Sequence, residues 1–175
     1  MSKFLVSAAL LLAGVATSAS AQPSPIIGPD APVCANATGS AILVRVEGMK
    51  DRVGLVRVRT FGGDPSSYFD KKRALQRVEL AAPTSGPVVI CMKVPGPGTY
   101  AVDIRHDFNR DRKTSRSDGA GASGNPNVTL FDILFKRKPS PEKVAVRVGN
   151  GVVPINIRLK YFGGTPVSAE KSAAR

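Results

Sequence analysis

The sequence predicts an all-β fold, an antiparallel β-sandwich of about seven strands. Three observations lead there. Short apolar segments alternate with charged residues at a period of two, the spacing that places every second side chain on one face of a strand. Turns rich in glycine and proline separate those segments. No stretch carries a helical period long enough for a helix that would cover a sheet, so a sandwich or a barrel is expected, the sandwich being preferred.

The elements follow in order. The chain opens with Lys3, then the apolar run FLVSAALLLAGVA, 13 residues long, then small residues at Ala19 to Ala21. That is the order of a secretory signal, expected over 1–21. A membrane span needs about 20 apolar residues, and this run falls short. Residues 22–33, beginning QPSPIIGPDAP, are expected to form a proline-rich segment, extended and mobile. A single β-sandwich domain is expected over 34–162, with a long loop at 107–141.

In AILVRVE (41–47), Val44 and Val46 share one face while Arg45 and Glu47 share the other. GLVRVRTF (54–61) repeats the pattern with Val56 and Val58 against Arg57 and Arg59, and GMKDRVG between them reads as a hairpin connection. Asp64-Pro65-Ser66 can open one helical turn. ALQRVELA is a third strand, and PVVICMKV (87–94), rich in β-branched residues, a fourth. PGPG then forces a turn. TYAVDIRH (99–106) is the fifth strand, with Tyr100, Val102 and Ile104 on one face. Thr99, Asp103 and Arg105 lie opposite, with Ala101 as a small neutral member.

From Asp107 to Pro141 the pattern stops, apart from VTLFDILF (128–135), a short helix or an irregular strand. A stretch this long in a small domain is usually functional or disordered. EKVAVRVG and VVPINIRLKYF restore the alternation, with Ile155, Ile157 and Leu159 against Asn156, Arg158 and Lys160. Residues 163–175 form a polar tail expected to fray.

Cleavage after Ala21 leaves 154 residues, enough for one domain with a real core. In an oxidising compartment the pair Cys34 and Cys91 is expected to form a disulfide. Closing that loop would stabilise the fold by about 4 kcal/mol in the chain-entropy model. The formal charge is +12, or +11 without Lys3, from 24 basic against 13 acidic residues. Such a charge favours anionic partners such as lipid head groups or acidic glycans. Nucleic acid is not expected, because export argues against it and no aromatic–basic RNA motif is present. Sequons at Asn36 and Asn127 matter only in a eukaryotic secretory route.

GTYAVDIRHDFNRDRK, followed by SDGAGASGNP and VVPINIRLKYF, resembles an exported bacterial group, the domain of unknown function family 2141. The likeness runs over about Cys34 to Phe162. It is carried by Gly98, Tyr100, Ala101, His106, Asp107, Asn109, Asp111, Gly119, Gly121, Asn125 and Pro126. The resemblance implies an immunoglobulin-like or transthyretin-like sandwich outside the cytoplasm, in the periplasm or beyond, with no known catalysis. Arg112 stands where the family often has glycine.

HDFNRDRKTSRSDG (106–119) carries three readings. As a calcium loop counted from Asp107, Asn109 falls at position 3, Asp111 at 5, the Lys113 carbonyl at 7, Ser115 at 9 and Asp118 at 12. Arg112 at position 6 would need a positive φ, and Asp118 has a shorter reach than the usual glutamate. Three acids face four bases here, a net of +1, so metal binding would be weak. As a self-braced turn, Asp107 and Asn109 bond nearby amides while Asp111 and Asp118 pair with local arginines. As an anion-binding surface, Arg110, Arg112, Lys113 and Arg116 join Lys136, Arg137 and Lys138. No enzyme is expected. No HExxH or nucleophile motif appears, and His106 has only Asp103 or Asp111 as a conceivable acid–base partner. No cofactor is expected, calcium in this loop apart.

Overall fold

A computed structural model of the chain describes residues 24–115, 117–129, 132, 135 and 137–163. The expected signal sequence, Arg116, Lys136, half of the VTLFDILF segment and the tail beyond 163 lie outside the described residues.

Among the described residues ten strands build two sheets. The first sheet runs β1 (Ile26–Ile27), β5 (Val88–Lys93), β2 (Ala41–Glu47), β9 (Val152–Arg158). The second runs β10 (Lys160–Tyr161), β7 (Gly119–Ala122), β6 (Gly98–Asp107), β3 (Leu55–Gly62), β4 (Gln76–Ala81), with β8 (Val146–Val148) also paired to β6. The chain is thus a β-sandwich. Most pairings are antiparallel, but β1 with β5 and β2 with β9 are parallel. The alternating apolar residues of both sheets meet in one core, which includes Ile42, Val44, Val56, Val58, Ile90, Met92, Val102, Ile104 and Ile157.

The structure corrects four expectations. GMKDRVG is not a hairpin connection: β2 pairs with β5 and β9, whereas β3 pairs with β4 and β6. Both valine faces look into the same core from opposite sheets, so the connection crosses between layers. The proline-rich entry segment is built into the fold from residue 24 onward. Ile26 and Ile27 pair with Val89 and Ile90, and the Asp30 carboxylate accepts from Gln76 Nε2 at 2.6 Å and from the Lys93 amide at 2.9 Å. A short helix, α1 (Ala31–Asn36), follows.

The third correction concerns the long loop, which contains a strand. β7 has the sequence GAGA and lacks the apolar alternation that reveals a strand. Its glycines allow a close approach: a Cβ on Gly121 would lie 2.7 Å from Ile157 Cγ2 and 2.8 Å from the Arg158 carbonyl oxygen. The fourth is that the outer face of β6 is covered. Ala101 is buried there with Phe61, Tyr68 and Val144, the last on the helical turn α2 (Pro141–Val144). The helical turn expected at Asp64 is present: the Asp64 side chain caps a 3-10 turn at Pro65–Ser67 by accepting from the Ser66 amide.

Cys34 on α1 and Cys91 on β5 form a disulfide. No side chain of α1 is buried, so the bridge, together with the Asp30 hydrogen bonds at its start, ties it to the sheets. Replacing both cysteines by serine is expected to lower stability by about 2–4 kcal/mol. Urea unfolding of the wild type with and without reductant, beside the double variant, checks this; unchanged midpoints would show that the staple holds nothing.

Candidate functional site

β6 pairs on both sides, with β3 on one and with β7 and β8 on the other, so its backbone is fixed up to Asp107. Alternation then sends neighbouring side chains to opposite faces. His106 turns inward and is fully buried. Its Nε2 lies 2.6 Å from the Val53 carbonyl, which can only accept, so Nε2 donates. Its Nδ1 lies 2.7 Å from the Tyr161 hydroxyl, which also accepts from the Lys50 amide at 3.0 Å. Burial pushes the Tyr161 phenol pKa upward, which keeps the hydroxyl protonated. Both ring nitrogens are therefore engaged in holding strands together. Asp103 and Asp111, the partners considered for His106, bond elsewhere.

Asp107 turns outward and is still 1% exposed. Its Oδ2 accepts from Arg105 Nη2 at 3.0 Å and from the Arg112 amide at 2.8 Å. Asp118, also buried, accepts from the Phe108 amide at 3.3 Å and the Ser115 amide at 3.0 Å. Asn109 Nδ2 donates to Asp111 Oδ2 at 2.9 Å, and the Lys113 amide donates to Asp111 Oδ1 at 2.7 Å. Those two bonds, the Lys113 amide first, hold the exposed Asp111 carboxyl below its ordinary pKa. Arg112 adopts the positive φ, 59°, that the calcium reading requires and that counts against it, and Arg110 has a φ of 60°. Such left-handed residues cost roughly 1–2 kcal/mol each, which the inward amide bonds offset.

The carboxylates of Asp107, Asp111 and Asp118 thus converge on the loop's own amides rather than on one point. Among the described residues no three His, Cys, Asp or Glu side chains come together to hold a metal ion. Arg110 and Lys113 are exposed, and Arg112, whose side chain is 73% exposed, reaches Glu79 at 3.4 Å. Arg137 lies over the Phe135 ring at 5.7 Å.

Two features of this outer surface were missed. The first is a pair of charged rows across β4, β3 and β6: Glu79–Arg57–Arg105 and Arg77–Arg59–Asp103. Alternation foretold that Arg57 shares a face with Arg59 and Asp103 with Arg105, but not the faces of Arg77 and Glu79 or which strands lie side by side. Arg59 is ion-paired with Asp103, Arg77 with Glu79 at 2.7 Å, and Arg105 with Asp107. The hydrogen bond from Arg77 draws the Glu79 carboxyl below its usual pKa. The second is a pocket of about 520 Å³ beside β7, lined by Phe69, Ala120, Ala122, Pro126, Val128 and Phe162 among others. The charges that line it already have partners: Asp103 has Arg59, Arg158 has Glu47 at 3.3 Å, and Lys160 has Asn127 Oδ1 at 3.2 Å. Next to it Asn125 acts as a substitute strand edge. Its amide nitrogen donates to the Asn156 carbonyl at 3.0 Å and its oxygen accepts from the Arg158 amide at 2.8 Å.

A family model for uncharacterized proteins conserved in bacteria (DUF2141) matches residues 44–156. No curated protein matches the chain. Among solved structures, a "putative adhesin" from Bacteroides ovatus ATCC 8483 is 11% identical with a TM-score of 0.30, over 84% of this chain and 50% of that one. The chain spans half the length of that structure, and a likeness at this level carries no argument.

The geometry separates two aspartates of the same loop. Asp107→Ala would leave the buried Arg105 without its carboxylate and is expected to destabilise by about 3–5 kcal/mol. Asp111→Ala, at an exposed turn, is expected to cost under about 1 kcal/mol. Chemical denaturation of both variants measures the difference; equal losses would contradict the bracing geometry.

Proposed function

Since the chain belongs to the DUF2141 family of uncharacterized bacterial proteins, we propose that it is an exported, non-catalytic β-sandwich serving as a binding or structural module of the bacterial envelope. The observation that carries this reading is the division of labour in the 107–118 loop. Its carboxylates bond inward to backbone amides, while Arg110, Arg112 and Lys113 are exposed, Arg112 also reaching Glu79. What the loop offers a partner is positive charge on a braced frame.

Export is supported by the signal-like order of residues 1–21 and by the disulfide, which persists in oxidising compartments. Among the described residues no helix is long and apolar enough to cross a membrane. The engaged ring nitrogens of His106 favour a structural role over proton transfer. The favoured partner is an anionic envelope surface, a glycan or lipid carrying carboxylate or phosphate groups, met by Arg110, Arg112, Lys113 and Arg116.

Retention on vesicles containing phosphatidylglycerol, or on immobilised acidic polysaccharide, is expected to fall steeply as salt rises. Arg110→Glu with Lys113→Glu should weaken it at least tenfold at low salt; unchanged retention would remove this loop from the reading. The calcium alternative has its own check. Titration calorimetry with calcium is expected to give no heat, and chelator no change in Tm, whereas a saturable heat abolished by Asp111→Ala would revive it.

A further inference from the structure

The outer face of β4, β3 and β6 holds more positive charge than it neutralises. Five guanidinium groups gather there, from Arg57, Arg59, Arg77, Arg105 and the loop's Arg112. Their ion-pair partners are the three carboxylates Glu79, Asp103 and Asp107, leaving a surplus of +2. The surplus centres on Arg57. It lies across from Glu79 on one side and from Arg105 on the other, yet Glu79 is taken by Arg77 and Arg112. Among the described residues Arg57 has no ion-pair partner, and its Nε is buried without a hydrogen bond. The Nε of its cross-strand neighbour Arg105 is equally buried and unpaired.

Like charges set directly opposite on a sheet destabilise it, and burying them raises the cost. Burial, with Arg59 and Arg105 as neighbours, pulls the Arg57 pKa down to about 10. An arginine so placed works against the folded state unless something external compensates it. A group carrying two negative charges would match the surplus, and an oxyanion suits the planar fork of a guanidinium.

We propose that this sheet face is a binding site for a divalent tetrahedral oxyanion, a phosphate or sulfate group, with Arg57 as its principal ligand and Arg59, Arg77 and Arg105 supplying the surrounding field. The group can be a free anion or the end of a larger molecule, such as a phosphorylated head group or glycan. The site does not rest on the envelope reading, since its proposed ligands are the strand residues Arg57, Arg59, Arg77 and Arg105; the loop contributes only Arg112, through its pairing with Glu79.

Thermal unfolding of the signal-free protein, titrated with sodium phosphate or sulfate at constant ionic strength against chloride, tests the site. A saturable rise in Tm is expected, roughly 5 °C at a hundred times Kd, and acetate should give none. Arg57→Gln should abolish the rise while leaving Tm in chloride equal to or above wild type, and Arg57→Lys should keep part of it. Arg110→Glu with Lys113→Glu should retain the rise, so the site and the loop reading fail separately. Glycerol 3-phosphate acting at lower concentration than inorganic phosphate would identify an ester as the source; the reverse order would identify the free anion. No rise with any of the three anions, or an equal rise in Arg57→Gln, overturns the proposal.

Discussion

A strand has two faces, and the end of β6 uses both. Paired on each side, this strand cannot rotate, so consecutive residues must go in opposite directions. His106 enters the core and links Val53 with Tyr161, joining β10 and the approach to β3. Asp107 goes outward and gathers Arg105 and the amide of Arg112, which sets the path of the following loop. The core seam and the shape of the loop therefore descend from one fixed register.

That constraint explains why an acidic spacing suited to a cation is used otherwise. A calcium loop needs its oxygens free and aimed at a common centre. Here each carboxylate has at least one oxygen bound by an amide or an arginine, although Asp107 Oδ1 is buried without a partner. Positive charge consequently reaches the surface in two forms. In the loop it is exposed to solvent; on the sheet it is crowded, partly dehydrated and set among neighbours.

Much of this fold was legible in the chain. Among the described residues, alternation or β-branched content located seven of the ten strands, although β5 and β6 prove to be buried on both faces. The cysteine pair and the Asp64 turn were legible because their chemistry is local or exclusive. β7 was hidden because GAGA has no apolar residue larger than alanine, and its role is to leave room for Ile157 and Tyr161. The partners of β2 were hidden because alternation encodes a face and not a neighbour. The site was half legible: the turn-forming aspartates could be read, but the arginine rows depend on β3 lying between β4 and β6, which only the assembled sheet shows.

The parallel pairing of β2 with β9 sets an order of events for folding. Ala41 faces Val152 and Glu47 faces Arg158, so β2, near the start of the domain, waits for a partner more than a hundred residues later. An antiparallel pair such as β3 with β4 can close earlier, because its strands are consecutive in the chain. The first sheet cannot be completed until β9 has been made, and contacts this distant in sequence slow the search. During synthesis the chain remains an unfinished sheet with an open edge until its last long strand appears.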